Sequence, residues 1–247
     1  MMSSLKKSEY YSAESPSTIV LDTTYLCNLQ CKMCHQNSPD YIVPEEPHIP
    51  VSYVRKILPI AKKAKHIYLL GYGEPFMHPE MYSIIRMIKD ECPESMVETT
   101  SNGVLFNESN AYKLIQSGLD LVSISMDGPN LERGHQKSEN TYRNLRRLAR
   151  IKKELGIENP QIVIGFILGK DNEDELLPII EFAKEVDAVA ITVDALRIIS
   201  PQKDWDRYII DNDPYKHKET VGPILEKAKK KAQEYGIRIN SPYIGNF

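Results

Sequence analysis

The chain has 247 residues, with 31 Lys and Arg against 34 Asp and Glu, a formal net charge of −3 and an isoelectric point near 6.1. This mildly acidic balance excludes the broad basic surface of a nucleic-acid or anionic-membrane binder, and no apolar run reaches the length of a membrane span. A hydrophobic fraction of 41% supports a sizeable core, and 26% charged residues is ordinary for a soluble protein.

Met1-Met2-Ser3-Ser4-Leu5-Lys6-Lys7 carries basic residues with no apolar core behind them, so it does not read as a secretory signal. Clustered thiols without such a signal point to a reducing compartment, and the expected location is the cytoplasm. Downstream, short apolar runs alternate with longer amphipathic ones. Strands are expected at about 18–23, 66–70, 96–100, 121–126, 161–168 and 188–194. Helices are expected at about 51–63, 79–91, 108–116, 138–155, 173–186 and 218–235. Near-continuous Val, Ile and Leu in the strands is the mark of parallel strands buried by helices. The expected class is therefore α/β, with six βα units reading as a partial (β/α)6 TIM-like barrel of parallel strands. An open doubly wound sheet has the same periodicity and stays as the alternative. The organisation expected is an N-terminal extension (1–17), a core barrel (18–197) and a C-terminal loop, helix and short strand (198–247).

Two stretches interrupt the alternation. Residues 36–50 hold Pro39, Pro44, Pro47 and Pro50, which reads as a stiffened loop. Residues 197–214 hold the single tryptophan, Trp205, with Asp206, Tyr208, Asp211 and Asp213. That second loop reads equally as a lid over a site or as plain surface.

Chemistry concentrates at the end of the first strand. Cys27, Cys31 and Cys34, three of the four cysteines, fall within eight residues at C-x3-C-x2-C spacing. Soft thiolates this close favour zinc or an iron–sulfur cluster. A closed four-iron cluster normally takes four cysteines, so three would leave one iron open for chemistry. A zinc site would need a fourth ligand; His35 is badly placed for one and Cys92 lies far along the chain in Glu91-Cys92-Pro93. Further polar constellations follow the later strands: Gly71-Tyr72-Gly73-Glu74-Pro75, then Thr100-Ser101-Asn102-Gly103, then Ser123-Ile124-Ser125-Met126-Asp127-Gly128, then Gly165-Phe166-Ile167-Leu168-Gly169. A parallel barrel puts its chemistry at the C-terminal ends of its strands. All of these lie there.

Taken in this order, the motifs resemble the radical S-adenosylmethionine (radical SAM) superfamily across residues 18–197. The cysteine run matches the family's C-x3-C-x-Φ-C, with Met33 in place of the usual aromatic. Gly73-Glu74-Pro75 matches the end of its G-G-E-P motif, with Tyr72 replacing the first glycine, and Gly165 to Gly169 match its G-x-I-x-G. The resemblance implies that Cys27, Cys31 and Cys34 hold a 4Fe-4S cluster whose open iron is chelated by S-adenosyl-L-methionine. It assigns contacts with that cofactor to Met33, Gly73, Glu74, Pro75, Ser101, Asn102, Ser123, Ser125, Asp127, Ile167 and Leu196. It implies reductive cleavage of the sulfonium, hydrogen abstraction from a small-molecule or peptide substrate, and an external low-potential donor such as a flavodoxin or ferredoxin. Within the family, Thr24-x-x-Cys27-Asn28-Leu29 and the third- and fourth-strand motifs look most like the SPASM and molybdenum-cofactor cyclase branches. Many members of those branches continue into a cysteine-rich C-terminal domain; no cysteine follows Cys92 in these 247 residues, which either lack that domain or stop before it.

Two other readings stay open: a glycyl-radical-enzyme activase, and a non-catalytic iron–sulfur or zinc protein. The basic runs Arg143–Lys153 and Lys227–Lys231 read as solvated helix surface, with no nucleic acid expected. Arg133 reads equally as a contact with the cofactor's carboxylate or as surface. His35, His48, His78 and His135 enter only as neighbours of the motifs, and Cys92 reads as an inert thiol.

Overall fold

The computed structural model describes residues 16–31, 34–37, 41–127, 138–195 and 213–241. Its spine is a seven-stranded sheet: β1 (Thr18–Asp22), β2 (His66–Leu70), β3 (Met96–Ser101), β4 (Leu121–Ser125), β5 (Gln161–Leu168), β6 (Ala190–Ala195) and β7 (Arg238–Asn240). Every neighbouring pair is parallel, and the strands stand side by side in sequence order. That order decides the architecture. A doubly wound sheet reverses its strand order at a switch point; this one never does, and the structure is an open barrel with β1 and β7 as its edges.

The intervening helices are α1 (Val51–Ala61), α2 (Met81–Glu91), α3 (Glu108–Ser117), α4 (Ser138–Leu155), α5 (Leu176–Glu185) and α6 (Lys218–Glu234). Local chemistry sets their ends. Asn107 caps α3 by accepting the Asn110 amide at 3.0 Å, and Gly118 closes it at φ 81°. Their apolar faces cover the outer side of the sheet. Ile67, Leu69, Val97, Val122, Ile124, Ile164 and Phe166 from the strands meet Ile84, Ile88, Leu114, Leu145 and Ile179 from the helices, all at most 1% exposed. Burying each such side chain contributes about 2 kcal/mol.

The other face of the strands is different. In β2 and β4 buried and half-buried residues alternate strictly. Burial on both faces, expected from the apolar runs, holds only toward the helices. Tyr68, Glu98, Thr100, Ser123 and Thr192 instead face a lumen. Arg146 and Arg150 of the basic run on α4 are solvent-facing and pair with carboxylates of the same chain, Arg146 with Glu185 at 2.5 Å and Arg150 with Glu154 at 2.8 Å. Lys231 on α6 pairs with Glu181. No helix among the described residues is long and apolar enough to cross a membrane.

Candidate active site

The cysteine loop leaves the C-terminal end of β1 and is fixed by main-chain bonds on two sides. On one, Thr24 and His48 form an antiparallel bridge, the Tyr25 amide donates to the Pro47 carbonyl at 2.8 Å, and the Ile49 amide donates to Thr23 at 2.9 Å. The proline-rich stretch is thus bound edge to edge with the continuation of β1. His48 reinforces the bridge through a 2.8 Å bond between its Nδ1 and Thr24 Oγ1, which also accepts the Leu26 amide. On the other side the loop after β2 closes in: Gly73 N–H donates to Thr24 O at 3.0 Å and Glu74 N–H to Leu26 O at 2.8 Å.

The glycines in this second loop serve that contact. A Cβ on Gly73 would lie 2.0 Å from Leu26 O, and one on Gly71 2.6 Å from Thr24 O. The close backbone approach read from Gly71-x-Gly73 is therefore made by the cysteine loop itself. Tyr72 between them points outward, stacked on Tyr25 at 5.4 Å between centroids. Gln36 ties the aromatic neighbours together, its amide donating to the carbonyls of Tyr25 (3.0 Å) and Tyr72 (2.6 Å) and to the Tyr41 hydroxyl (3.2 Å).

Cys27, Cys31 and Cys34 are each half-buried and unbridged. Burial pushes the Cys27 thiol up, against a Leu29 amide that donates to its sulfur at 3.5 Å. Glu74, Cys31 and Cys34 lie close enough to raise it further. Cys34 is raised in the same way, again by burial first, with the Gln36 amide opposing. Asn102 Nδ2 adds a long 3.9 Å contact to Cys27 Sγ. Amide donors aimed at sulfur favour thiolates, the form that ligates iron or zinc, and tune the potential of a bound cluster. The donor set fits such a group. Among the described residues no three His, Cys, Asp or Glu side chains meet at a single ion; the thiolates of an iron–sulfur cluster each hold a different iron and need no common point.

Glu74 joins the loops after β2 and β3. Only 3% exposed, it accepts from Ser101 Oγ at 2.7 Å and Phe76 N at 3.3 Å through Oε1, and from Asn102 N at 2.7 Å through Oε2. Burial pushes its carboxyl up from 4.5 to about 7 against these three donors. A carboxyl raised on folding binds its proton more tightly in the native state. Its contribution is thus fully present below pH 4.5 and is lost as pH rises toward 7, a change on the order of 3 kcal/mol. Urea unfolding of the metal-free protein across this range is expected to show that fall, and Glu74→Gln to flatten it.

The remaining expected residues divide. Pro75 opens a short 3-10 turn, Pro75–Met77, that seats Phe76 in the core. Ser101 ends β3 and Asn102 follows it, reaching across to Asn28 beside Cys27 at 2.8 Å. Both are thus engaged by protein groups. Ser123 and Ser125 alternate with buried Val122 and Ile124, which puts both serines on the lumen side of β4. Asp127, just past β4 and 2% exposed, accepts the Ile167 amide of β5 at 2.8 Å. Met33 and Leu196 lie outside the described residues, as do Arg133, His135 and Trp205.

Several residues that matter were not legible as such. Asn172, wholly buried, accepts the Gly169 amide at 2.9 Å and donates to the carbonyls of Asp127 (3.0 Å) and Ile167 (2.9 Å). It clamps the end of β4 to the end of β5. Its one sequence signal is a turn-forming Asn three places after Gly169. Asn172→Ala strands three buried backbone groups and is expected to cost about 3 kcal/mol, read from the urea midpoint. Asn28 enters the sequence reading only as part of the Thr24-x-x-Cys27-Asn28-Leu29 motif and His48 only as a neighbour of the motifs; Gln36 gave no signal.

Comparison with known proteins identifies the family and the fold. Residues 21–183, more than half of the chain, match the family model described as the radical SAM superfamily. The chain is 27% identical over 233 residues to the tungsten-containing aldehyde ferredoxin oxidoreductase cofactor-modifying protein of Pyrococcus furiosus, covering 91% of this chain and 62% of that one. It is 29% identical over 216 residues to a "Probable GTP 3',8-cyclase" of Methanocaldococcus jannaschii, covering 85% and 66%. It therefore spans about two thirds or less of these relatives' lengths. Among solved structures, SuiB of Streptococcus suis superposes with a TM-score of 0.70 when bound to its precursor peptide SuiA, at 14% identity over 92% of this chain and 49% of SuiB. Its complex with S-adenosylmethionine gives 0.67, at 16% identity over 92% and 50%. Fold, strand-end motifs and family match agree: the chain belongs to the radical SAM superfamily, enzymes that use a 4Fe-4S cluster and S-adenosylmethionine.

Proposed function

We propose that Cys27, Cys31 and Cys34 hold the 4Fe-4S cluster and that the enzyme abstracts hydrogen from a small-molecule or peptide substrate. The observation that carries this is the cysteine loop. It stands at the C-terminal end of the barrel, bonded through Thr24 and Leu26 to the Gly73-Glu74 loop, with amide donors on the Cys27 and Cys34 sulfurs. When bound, the cluster and S-adenosylmethionine supply a one-electron cleavage that generates a carbon radical, the hard chemistry being the cofactors' own.

The chain's residues supply position and seclusion. Glu74, oriented by Ser101 and Asn102, sets a carboxylate beside the cysteines for the cofactor's ammonium. Ser123 and Ser125 offer hydroxyls from the lumen wall, and Asp127 with Asn172 fixes the strand that carries Ile167. The helix-covered barrel keeps stray hydrogen donors from the lumen. A low-potential flavodoxin- or ferredoxin-like donor belongs to this reading, as does a cytoplasmic setting. The relatives' names, a cofactor-modifying protein and a cyclase, and SuiB's peptide complex support both substrate classes.

Anaerobically reconstituted protein should hold about four irons and four sulfides per chain. With dithionite and S-adenosylmethionine it should form 5′-deoxyadenosine. Stoichiometric zinc without sulfide, or a cluster-replete protein that forms none, would overturn the proposal.

A further inference from the structure

The open barrel holds a cavity of about 330 Å³ whose upper rim, Thr192 and Asn240, stands level with Ser125, and which opens to solvent beside edge strand β7. Strand register sorts its wall into tiers. Thr100, Ser123, Val163, Ala190 and Arg238 stand at one level; Ser125, Gly165, Thr192 and Asn240 are one pleat above; Tyr68, Glu98 and Leu121 are one pleat below. A Cβ on Gly165 would lie 3.6 Å from Ser123 Oγ and 3.7 Å from Thr192 Oγ1, so its absence keeps the space between the two hydroxyls open.

The charges in this wall are few and opposed. Among the described residues Arg238, exposed on edge strand β7, is the one cation lining the cavity, and it has no ion-pair partner there. Glu98, on β3, is the one acid lining it among the described residues. Tyr68 hydrogen-bonds to the Glu98 carboxylate, and that bond raises the phenol, leaving the carboxylate's remaining lone pairs for a guest. A cavity of this size suits a small molecule held by a few placed polar groups.

We infer that this cavity is the substrate pocket and that it selects a small dipolar molecule. Its oxyanion, a carboxylate or a phosphate, sits on Arg238, and its ammonium or hydroxyl sits on Glu98. A guanidinium fork matches either oxyanion in two-point fashion. The inference rests on the radical SAM reading above and names the substrate class for it.

The test uses anaerobically reconstituted holoprotein and equilibrium binding of two dipolar probes, O-phosphoethanolamine and 4-aminobutyrate, with ethanolamine as the probe lacking an anion. One of the dipolar probes should bind about tenfold or more tightly than ethanolamine, and which one does separates phosphate from carboxylate. Arg238→Gln should remove that preference, Arg238→Lys should keep part of it, and Glu98→Gln should weaken the dipolar probe by about tenfold. Iron and sulfide content should stay unchanged in all three variants, which reports an intact barrel and cysteine loop. No preference for either dipolar probe, or a preference untouched by both charge removals, overturns the pocket alone. Absence of 5′-deoxyadenosine from cluster-replete wild type overturns the catalytic reading, and the pocket's role as a substrate site falls with it.

Discussion

Cys31→Ala is expected to give a folded protein that retains no stable 4Fe-4S cluster and forms no detectable 5′-deoxyadenosine, and Cys27→Ala and Cys34→Ala should do the same. In the proposed cluster each thiolate would hold its own iron, so no neighbouring sulfur could take the place of a missing one. Loss of a group that merely orients a metal ligand already costs 10- to 100-fold; loss of a ligand should exceed about 100-fold. The three side chains are half-buried on a loop outside the apolar core, so thermal unfolding should move little. Cys92→Ala is the matched control. That thiol is 2% exposed and packed in the core beyond α2. Its removal should cost about 1 kcal/mol of stability and leave iron, sulfide and cleavage intact. A cluster that survives in Cys31→Ala would show that the three thiols do not act together.

The second large effect belongs to a residue with no side chain. In Gly73→Ala the new methyl meets Leu26 O at 2.0 Å, C at 2.5 Å and N at 2.7 Å, all main-chain atoms that cannot rotate aside. The two loops must part, and the bonds from Gly73 to Thr24 and from Glu74 to Leu26 go with them. Overpacking of this kind costs about 1–3 kcal/mol, and each lost bond about 1 kcal/mol more. The loop carrying Cys27 then loses its seat. Reconstituted iron and sulfide should fall by about tenfold or more, while the far-ultraviolet circular dichroism of the barrel stays native. Gly236→Ala provides the comparison: its φ of 70° strains the backbone, but nothing lies within 4 Å of the added methyl. It should cost about 1 kcal/mol with no effect on the cluster. Full cluster content in Gly73→Ala would sink the idea that the loops are coupled.

Much of the fold was legible because its signals are local. The runs at β2 and β5 gave those strands to the residue, and α4 was bounded the same way by its helical periodicity. Misses fell where the chain turns. Strand β6 starts at Ala190 and not at residue 188, because Asp187 takes a φ of 53° and Ala188 N–H still bonds back to Ala183 in α5. Helix α2 starts at Met81 because His78 Nδ1 accepts the Glu80 amide and holds the preceding residues in a turn. Periodicity could not choose between a barrel and a doubly wound sheet, since that choice lies in strand order. The cysteines were legible from eight consecutive residues. The grip of Ser101 and Asn102 on Glu74 spans 27 and 28 residues, and no spacing rule reaches that far. The short polar side chains after β3, read as reaching for a ligand, are engaged by Glu74 and Asn28.

The seam between the two loops is made of peptide groups, and a peptide group is the same whatever residue bears it. A side chain at position 72 therefore leaves the seam untouched: the Tyr72 ring lies outside, 45% exposed. The positions without such latitude are the two on either side of it, Gly71 and Gly73, where even one methyl group would strike the facing backbone.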